Sequence, residues 1–304
     1  MRTSLILTCF NEHESIGALF DDVLNQSILP NEVVIVDAGS NDGTLDVLNL
    51  LSAKFVARDV GFEVLVHDGI GIAAGRNTAI ERASGDVIAV TDAGCRLERD
   101  WLLNITRPLV EDRADFVGGF FLPVAHTRFQ RVLACLTTSS KPVKGFMPSS
   151  RSVAFRKAVW RAAGKYPEWL RWGEDTLFNS QCLATGPRYE VAADAVVHWE
   201  VRRTWSQVAK QFARYAYGDG LARRTTLSLG LGPVVYLGAI VGVALGHLSA
   251  AMLVPLFGVS WLARRRSVQI RDWPYAVFLG MTIQSSRVVG YCTGLTKSFW
   301  VRME

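Results

Sequence analysis

Cysteine is scarce in this chain of 304 residues, and its five cysteines are scattered without a Cys-x-x-Cys pair. This pattern argues against a disulfide scaffold and a thiolate metal site, and it predicts buried thiols in a reducing compartment. The chain also lacks a phosphate loop ending in Gly-Lys-Ser/Thr. No signal peptide is predicted, because Met1-Arg2-Thr3 leads directly into a strand-length apolar run.

Charged side chains are absent from residues 225–263, a run of 39 residues flanked by arginines on both sides. The run exceeds one membrane span of about 20 residues and is short for two. The net charge of +5 lies entirely in residues 226–304, which hold seven basic and two acidic side chains. A neutral front and a basic, apolar tail indicate membrane lipids, and not nucleic acid, as a partner.

The tail therefore predicts a C-terminal helical membrane region over residues 226–304. Basic residues at both ends of the uncharged run favour a hairpin that returns to the cytoplasm. A further apolar stretch, residues 273–295, either spans the membrane or lies in its interface. The alternative is a hydrophobic helical core in a soluble protein.

Strand-like and helix-like segments alternate in the front of the chain. Short apolar runs at residues 5–7, 33–36, 64–66 and 87–90 are typical of buried strands, and helical periodicity fills the intervals between them. This alternation predicts an α/β domain over residues 1–225 with a mostly parallel sheet. Ligands are expected at the carboxyl ends of its strands.

Polar residues suited to a nucleotide-sugar site stand where these strands end. Asn11 and Glu12 follow the first strand and Asp37 closes the second. Arg76 follows a glycine-rich turn, and an arginine suits diphosphate oxygens. Asp92 closes the fourth strand, where a carboxylate can hold a divalent ion.

Glu174 and Asp175 open a later helix, where a carboxylate can take a proton from an attacking hydroxyl. Each cluster also has a structural interpretation. A strand-end Asp can cap its turn, small residues can serve helix packing, and acidic residues stabilise the first turn of a helix.

Five segments resemble the family 2 glycosyltransferases: 5–12 (LILTCFNE), 34–44 (VIVDAGSNDGT), 74–77 (AGRN), 91–95 (TDAGC) and 173–175 (GED). The resemblance covers about residues 1–225. It implies a GT-A fold, a nucleotide-diphosphate sugar as donor, a divalent metal (Mg²⁺ or Mn²⁺) and inversion at the anomeric carbon.

The resemblance also implies roles for individual residues. Asp37 matches the acid that contacts the nucleoside, and Asp175 matches the general base. Asp92 stands where the metal-binding Asp-x-Asp motif begins, but Gly94 replaces the second Asp. His198 is a second candidate metal ligand, with a packed or hydrogen-bonded histidine as the alternative.

The expected donor-binding and metal-binding set is Asn11, Glu12, Asp37, Arg76, Asp92, Glu174, Arg214 and His198. Arg214 lies in residues 211–215 (QFARY), which resemble the Gln-x-x-Arg-Trp motif of processive polysaccharide synthases. It guides diphosphate or an anionic acceptor, or it faces lipid headgroups. Arg151 is a further candidate for a phosphate contact.

The sequence thus predicts an inverting glycosyltransferase at the cytoplasmic face of the inner membrane. Its acceptor would be lipid-linked or saccharide, as in the synthesis of an envelope polysaccharide or a glycolipid. Two alternatives stay open: a non-catalytic sugar-nucleotide-binding partner of a membrane synthase complex, and a sugar nucleotidyltransferase. The sequence also leaves a homo-oligomer open.

Overall fold

The computed structural model describes residues 1–139, 146–225, 242, 246 and 268–300. The chain divides into two compact units. The first contains Met1–Leu122 and Ser140–Glu200, and the second contains Pro123–Ser139 and Val201–Glu304.

A single sheet with the strand order β3-β2-β1-β4-β7-β6-β8-β5 forms the framework of the first unit. The strands are β1 Thr3–Cys9, β2 Glu32–Asp37, β3 Gly61–Val66, β4 Val87–Val90, β5 Cys95–Leu97, β6 Phe116–Val124, β7 Val153–Arg156 and β8 Tyr189–Glu200. The helices of this unit are α1 His13–Leu24, α2 Thr44–Val56, α3 Ile72–Arg82, α4 Trp101–Val110, α6 Lys157–Ala162 and α7 Glu174–Ala184.

The front half of the sheet is parallel, which confirms the α/β prediction. β1 pairs in parallel with β2 and β4, and β2 pairs in parallel with β3. The four strands contain the four apolar runs identified in the sequence, and α1, α2 and α3 fill the intervals between β1, β2, β3 and β4.

Both faces of this parallel half are covered, which is why its strands are apolar at successive positions. Leu5, Leu7 and Ile35 belong to the core cluster on the face of α1 and α2. Ile6 and Val34 belong to the opposite cluster, which includes residues of α3. The alternation of side chains along each strand divides the two sets between the two faces.

The sheet is mixed beyond β4, a feature that hydrophobic periodicity does not predict. β7 pairs antiparallel with both β4 and β6, and β5 pairs antiparallel with β8. The loop that leads into β7 is thereby brought to the edge where β4 ends, because antiparallel neighbours run in opposite directions.

Glycines bring two helices of the second unit into close contact. α5 Arg128–Thr137, α8 Trp205–Leu221 and α9 Trp273–Trp300 are the α-helices described in this unit. A Cβ atom at Gly290 would lie 2.0 Å from the carbonyl oxygen of Ala213, and one at Gly294 would lie 2.1 Å from that of Tyr217. The backbones of α8 and α9 therefore approach more closely than any side chain at these two positions would allow.

The sequence-based boundary at residue 225 assigns α8 to the front domain, whereas the structure groups α8 with α9 in the second unit. The sequence could not indicate this grouping, because α8 and α9 are separated along the chain by more than 50 residues. The pairing depends on matching small residues on two distant segments.

The predicted membrane hairpin at residues 225–263 lies outside the described residues, apart from residue 225 and the isolated residues 242 and 246. The further apolar stretch, residues 273–295, forms most of α9. Among the described helices, α9 included, none is both long enough and apolar enough to cross a membrane.

Candidate active site

The loops that follow β1, β2, β3 and β4 gather at one edge of the sheet. Parallel strands place their carboxyl ends together, and open α/β sheets bind ligands at this edge. Asn11, Asp37 and Asp92 all stand at or just beyond the ends of these strands. The site is therefore assembled from residues far apart in the sequence.

Asn11 and Glu12 tie the loop after β1 to the loop after β2. The Asn11 backbone N–H donates to Ser40 Oγ (2.8 Å), and Asn11 Oδ1 accepts from the Asn41 N–H (3.0 Å). The Glu12 N–H donates to Thr44 Oγ1 (2.9 Å). Asn11 has a left-handed φ of 56°, a conformation that asparagine tolerates better than most residues. Both residues thus organise the edge of the site.

Asp37 is fully buried, and all its hydrogen bonds are internal. Oδ1 accepts from the backbone N–H groups of Gly39 (2.9 Å) and Ser40 (2.7 Å). Oδ2 accepts from Ser40 Oγ (2.6 Å) and Cys9 Sγ (3.3 Å). Asp37 therefore caps the turn that follows β2 in this structure.

Gly75 sets the position of Arg76 by allowing α3 to lie directly on β1. A Cβ atom at Gly75 would lie 2.8 Å from the Thr8 Cγ2 atom. The side chain of Arg76 is consequently carried into the interior, where it is only 5% exposed. Gly75 thus serves the packing of α3 against β1.

Arg76 joins two carboxylates that the sequence identified separately. Nη2 lies 2.8 Å from Asp92 Oδ1, and Nη1 lies 2.9 Å from Glu174 Oε1. The planar guanidinium suits this arrangement, because its fork of N–H groups can engage two acceptors in fixed directions. Removing one partner of such a buried pair generally costs about 3–5 kcal/mol, since the other charge is left uncompensated.

Burial and the neighbouring opposite charges shift the pKa values of Arg76 and Glu174 in opposite directions. Burial opposes the charged form of Arg76, but Asp92 and Glu174 outweigh it and raise the pKa of the guanidinium. Burial raises the pKa of Glu174 above its ordinary value, with Asp175 acting in the same sense and Arg76 opposing both. Arg76 is therefore a permanent cation among three acidic side chains.

Asp175 sits beside this network on the first turn of α7 and is partly exposed. Its Oδ1 accepts from the Thr176 N–H (2.7 Å), and its Oδ2 lies 3.3 Å from Ser149 Oγ. The Ser150 backbone nitrogen lies 3.5 Å from the same Oδ2, so both contacts to this oxygen are longer than the one to Oδ1. A carboxylate in this position can accept a proton from a bound hydroxyl group.

Arg151 belongs to the same neighbourhood, next to the residue that contacts Asp175. Its Nη1 lies 3.3 Å from Ser149 Oγ. Its guanidinium carbon lies 4.5 Å from the centre of the Trp199 ring and 5.8 Å from that of Phe121. Stacking on these two aromatic rings helps to hold the Arg151 side chain in place, and its predicted contact with phosphate stays a prediction.

Asp92 is the carboxylate at this edge that is best placed to hold a metal ion. Asp92 gives one oxygen to Arg76, and its carboxylate is 36% exposed. Space beside it is open, because a Cβ atom at Gly94 would meet no atom within 4 Å. Mg²⁺ and related ions are commonly held by one or two carboxylates together with substrate phosphates. Asp92 therefore fits a metal that is held in part by a phosphate-bearing substrate.

His198 contacts Glu98 in this structure, and its role as a metal ligand stays a prediction. Its Nε2 lies 3.0 Å from Glu98 Oε1, and it stands opposite Arg96 in the β5–β8 pair. Side chains alternate along a strand, so His198 and Trp199 leave opposite faces of β8, and Trp199 is the one that contacts Arg151. In the part of the chain that the structure describes, no group of three His, Cys, Asp or Glu side chains is arranged to hold a metal ion.

Arg214 lies on α8 in the second unit, and the remaining predicted site residues lie in the first. Its predicted contact with diphosphate stays a prediction. The network around Arg76 also contains a residue that the sequence did not single out. Tyr166 lies with its ring centre 5.4 Å from the Arg76 guanidinium carbon, and its hydroxyl is 2.9 Å from Ser150 Oγ. No local pattern marks Tyr166, because its role comes from packing alone.

The model of the Glycosyl transferase family 2 matches residues 4–182, more than half of the chain. The chain belongs to this family and is a glycosyltransferase. The match agrees with the resemblance found in the sequence motifs.

Relatives and solved structures extend this result. The glycosyltransferase AglE of Haloferax volcanii is 27% identical over 217 residues, which cover 69% of this chain and 70% of AglE. The fold is similar to that of the mannosyltransferase PcManGT from Pyrobaculum calidifontis in complex with GDP-Man and Mn²⁺ (TM-score 0.67, 20% identity, 99% of this chain and 88% of that one). TarS of S. aureus in complex with UDP-GlcNAc has a TM-score of 0.53 at 16% identity, over 98% of this chain and 92% of that one. At these identities the structural likeness establishes the fold alone.

Proposed function

We propose that this protein is an inverting glycosyltransferase that uses a nucleotide-diphosphate sugar and a divalent metal. The observation that carries the proposal is the bridge from Asp92 through Arg76 to Glu174, because it joins the expected metal side of the site to the helix of the expected base. The sugar nucleotides named in the complexes of PcManGT and TarS support the donor class.

The chain's own residues have distinct tasks in this reaction. Asn11 and Asp37 shape the loops against which the nucleoside rests. Asp92 would hold the divalent ion, which neutralises the developing charge of the nucleotide diphosphate. Arg76 fixes the positions of Asp92 and Glu174 relative to each other, so that the donor and the base are positioned before the reaction begins.

Asp175 acts as the general base. Its carboxylate accepts the proton of the acceptor hydroxyl while that oxygen forms a bond to the anomeric carbon. The bond between this carbon and the diphosphate oxygen breaks on the opposite side, and the nucleoside diphosphate leaves with the electron pair. Direct displacement from one side inverts the configuration, and the proton on Asp175 is then returned to solvent.

The proposed acceptor is a lipid-linked molecule or a saccharide, and the proposed location of the reaction is the cytoplasmic face of the inner membrane. The basic, apolar composition of residues 226–304 supports this location. In addition, α9 presents Phe278, Val289 and Phe299 with exposures of 65%, 64% and 56%. Large exposed apolar side chains beside basic residues are typical of surfaces that bind the membrane interface. Synthesis of an envelope polysaccharide or a glycolipid would place the acceptor there.

The substitution Asp175→Asn tests the proposed base. The amide keeps the size of the side chain but cannot accept the proton, so we expect transfer to fall by about 10²–10⁴-fold. Donor binding, measured by calorimetry with Mn²⁺ present, should stay within about threefold of the wild type. Asp194→Asn is the matched control, since Asp194 is an exposed carboxylate paired with Arg107.

Near-normal turnover of Asp175→Asn would reject Asp175 as the base. A folded wild-type protein that binds a sugar nucleotide but neither transfers nor hydrolyses it, with lipid and saccharide acceptors supplied, would favour the non-catalytic alternative. Flotation with vesicles tests the location. We expect binding to vesicles containing anionic lipid and weaker binding to neutral vesicles, and the absence of any binding would overturn the membrane part of the proposal.

A further inference from the structure

The loops after β2 and β3 form one continuous edge. The Asp37 carbonyl oxygen accepts from the His67 N–H (2.9 Å), and the Ala38 carbonyl oxygen accepts from the Gly69 N–H (3.0 Å). Gly39 has a left-handed φ of 89°, and a Cβ atom placed on it would lie 2.7 Å from Asp68 Oδ1. The carboxylate of Asp68 therefore lies directly against the turn that begins at Asp37.

The acceptor positions of the Asp37 carboxylate are all used by donors within the protein. An ionised carboxylate offers about four acceptor positions, and Asp37 uses four for Gly39, the N–H and hydroxyl of Ser40, and Cys9. The residue is also inaccessible to solvent. A nucleobase N–H could bond to Asp37 only by displacing one of these internal donors, at the cost of an unsatisfied buried group.

Asp68 differs from Asp37 both in its exposure and in its hydrogen bonds. It is exposed, and neither of its carboxylate oxygens has a hydrogen-bond partner among the residues that the structure describes. It lies at the carboxyl edge of the sheet, immediately after β3. Of the two carboxylates beside Gly39, Asp68 is thus the one that can accept from a ligand.

We propose that Asp68 recognises a guanine base and that the donor is a guanosine-diphosphate sugar. Guanine presents two adjacent donors, N1–H and the N2 amino group, whose spacing matches the two oxygens of one carboxylate. Such a bidentate pair contributes both affinity and direction. The inference deepens the proposed function and rests on it, since it names the donor class of the same site.

The other common bases match this carboxylate less well. Uracil has a single donor, N3–H, between two carbonyl oxygens, so the second carboxylate oxygen would face a like partial charge. Adenine offers its amino group next to an acceptor nitrogen, which repels the second oxygen in the same way. A site that leaves such a group unpaired discriminates strongly against the ligand.

Titration calorimetry with GDP, UDP, ADP and xanthosine diphosphate tests the assignment, with Mn²⁺ present. For the wild type we expect GDP to bind at least about tenfold more tightly than UDP or ADP. Xanthine has a carbonyl oxygen where guanine has the amino group. Asp68→Asn should therefore lose about tenfold or more in GDP affinity and gain affinity for xanthosine diphosphate, because a carboxamide supplies one acceptor and one donor.

Asp46→Asn is the matched control, since Asp46 is an exposed carboxylate on α2. It should leave all four affinities unchanged. A wild type that prefers UDP or ADP overturns the guanine assignment and leaves the glycosyltransferase proposal standing. An unchanged ratio of GDP to xanthosine diphosphate affinity in Asp68→Asn overturns the role of Asp68. Failure of the folded protein to bind any of the four nucleotides also overturns the guanine assignment.

Discussion

Arg76 and Glu174, separated by 98 positions in the sequence, form a buried ion pair with 2.9 Å between Nη1 and Oε1. The second terminal nitrogen of the same guanidinium binds Asp92. Arg76 is therefore occupied by protein carboxylates, although its residue type also suits a diphosphate. We interpret it as the residue that holds the two sides of the site together.

Arg76→Lys should lower kcat by about tenfold or more while the KM for the donor stays within about threefold. Lysine keeps the charge, but a single ammonium cannot reproduce the fork that reaches both Asp92 and Glu174. Arg76→Met should in addition cost about 3–5 kcal/mol of unfolding free energy, measured by urea denaturation.

The control for Arg76 is Arg82→Lys on the same helix, where the arginine makes an exposed pair with Glu63. It should change stability by about 0.5 kcal/mol or less. If Arg76→Lys raised the donor KM strongly at constant kcat, Arg76 would be a direct donor contact and not a positioning residue.

Gly94→Asp should lower the Mn²⁺ concentration needed for half-maximal activity by about tenfold. The substitution restores the second carboxylate of an Asp-x-Asp motif. The space for it exists, because a Cβ atom at Gly94 meets nothing within 4 Å. Gly94→Ala separates the effect of the carboxylate from that of the added bulk, and it should leave the metal requirement unchanged. A metal requirement equal to that of the wild type in both variants would show that the ion does not approach residue 94.

Gly294→Ala should destabilise the protein by about 1–3 kcal/mol, because the added methyl would lie 2.1 Å from the carbonyl oxygen of Tyr217. Backbone atoms on α8 would have to move to relieve this contact. Gly17→Ala on α1 is the matched control, since the nearest atom to its Cβ, Val47 Cγ1, is 3.8 Å away. It should be neutral or stabilising by up to about 1 kcal/mol, because alanine is the better helix former. Equal thermal melting curves for the two variants would argue against the close approach of α8 and α9.

Asp115→Asn should reduce the unfolding free energy at pH 7 by about 1–2 kcal/mol. Hydrogen bonds from Arg188 lower the pKa of Asp115 from 3.8 to about 2, with burial opposing the shift and Arg156 assisting it. A carboxyl group with a lowered pKa stabilises the folded state above its unfolded pKa and loses this contribution as the pH falls. The difference between wild type and variant should therefore shrink from pH 4 to pH 2.

The control for Asp115 is Asp194→Asn, whose more exposed carboxylate pairs with Arg107. Its effect should be at most about 0.5 kcal/mol at any pH. A stability difference for Asp115→Asn that does not depend on pH would mean that the charge of Asp115 is not what stabilises this end of β6.

Local patterns determined much of the parallel half of the sheet. The apolar runs of β1 to β4 and the polar turns after them are properties of short segments, since a strand buried on both faces must be apolar at successive positions. The same segments carry the motifs that identify the family. Asn11, Asp37 and Asp92 were therefore selected as site residues from the sequence alone.

Only the tertiary structure decided what these residues contact. The contact of Asp37 with Cys9, the pairing of Arg76 with Glu174 and the contact of His198 with Glu98 all involve partners far along the chain. Likewise, Asp68 lies exposed beside Gly39 because the loops after β2 and β3 pack together. Sequence patterns report which chemical groups are present and which face of an element is buried, because these depend on near neighbours. Which acceptors remain unoccupied depends on how distant segments pack, and the folded chain alone determines that.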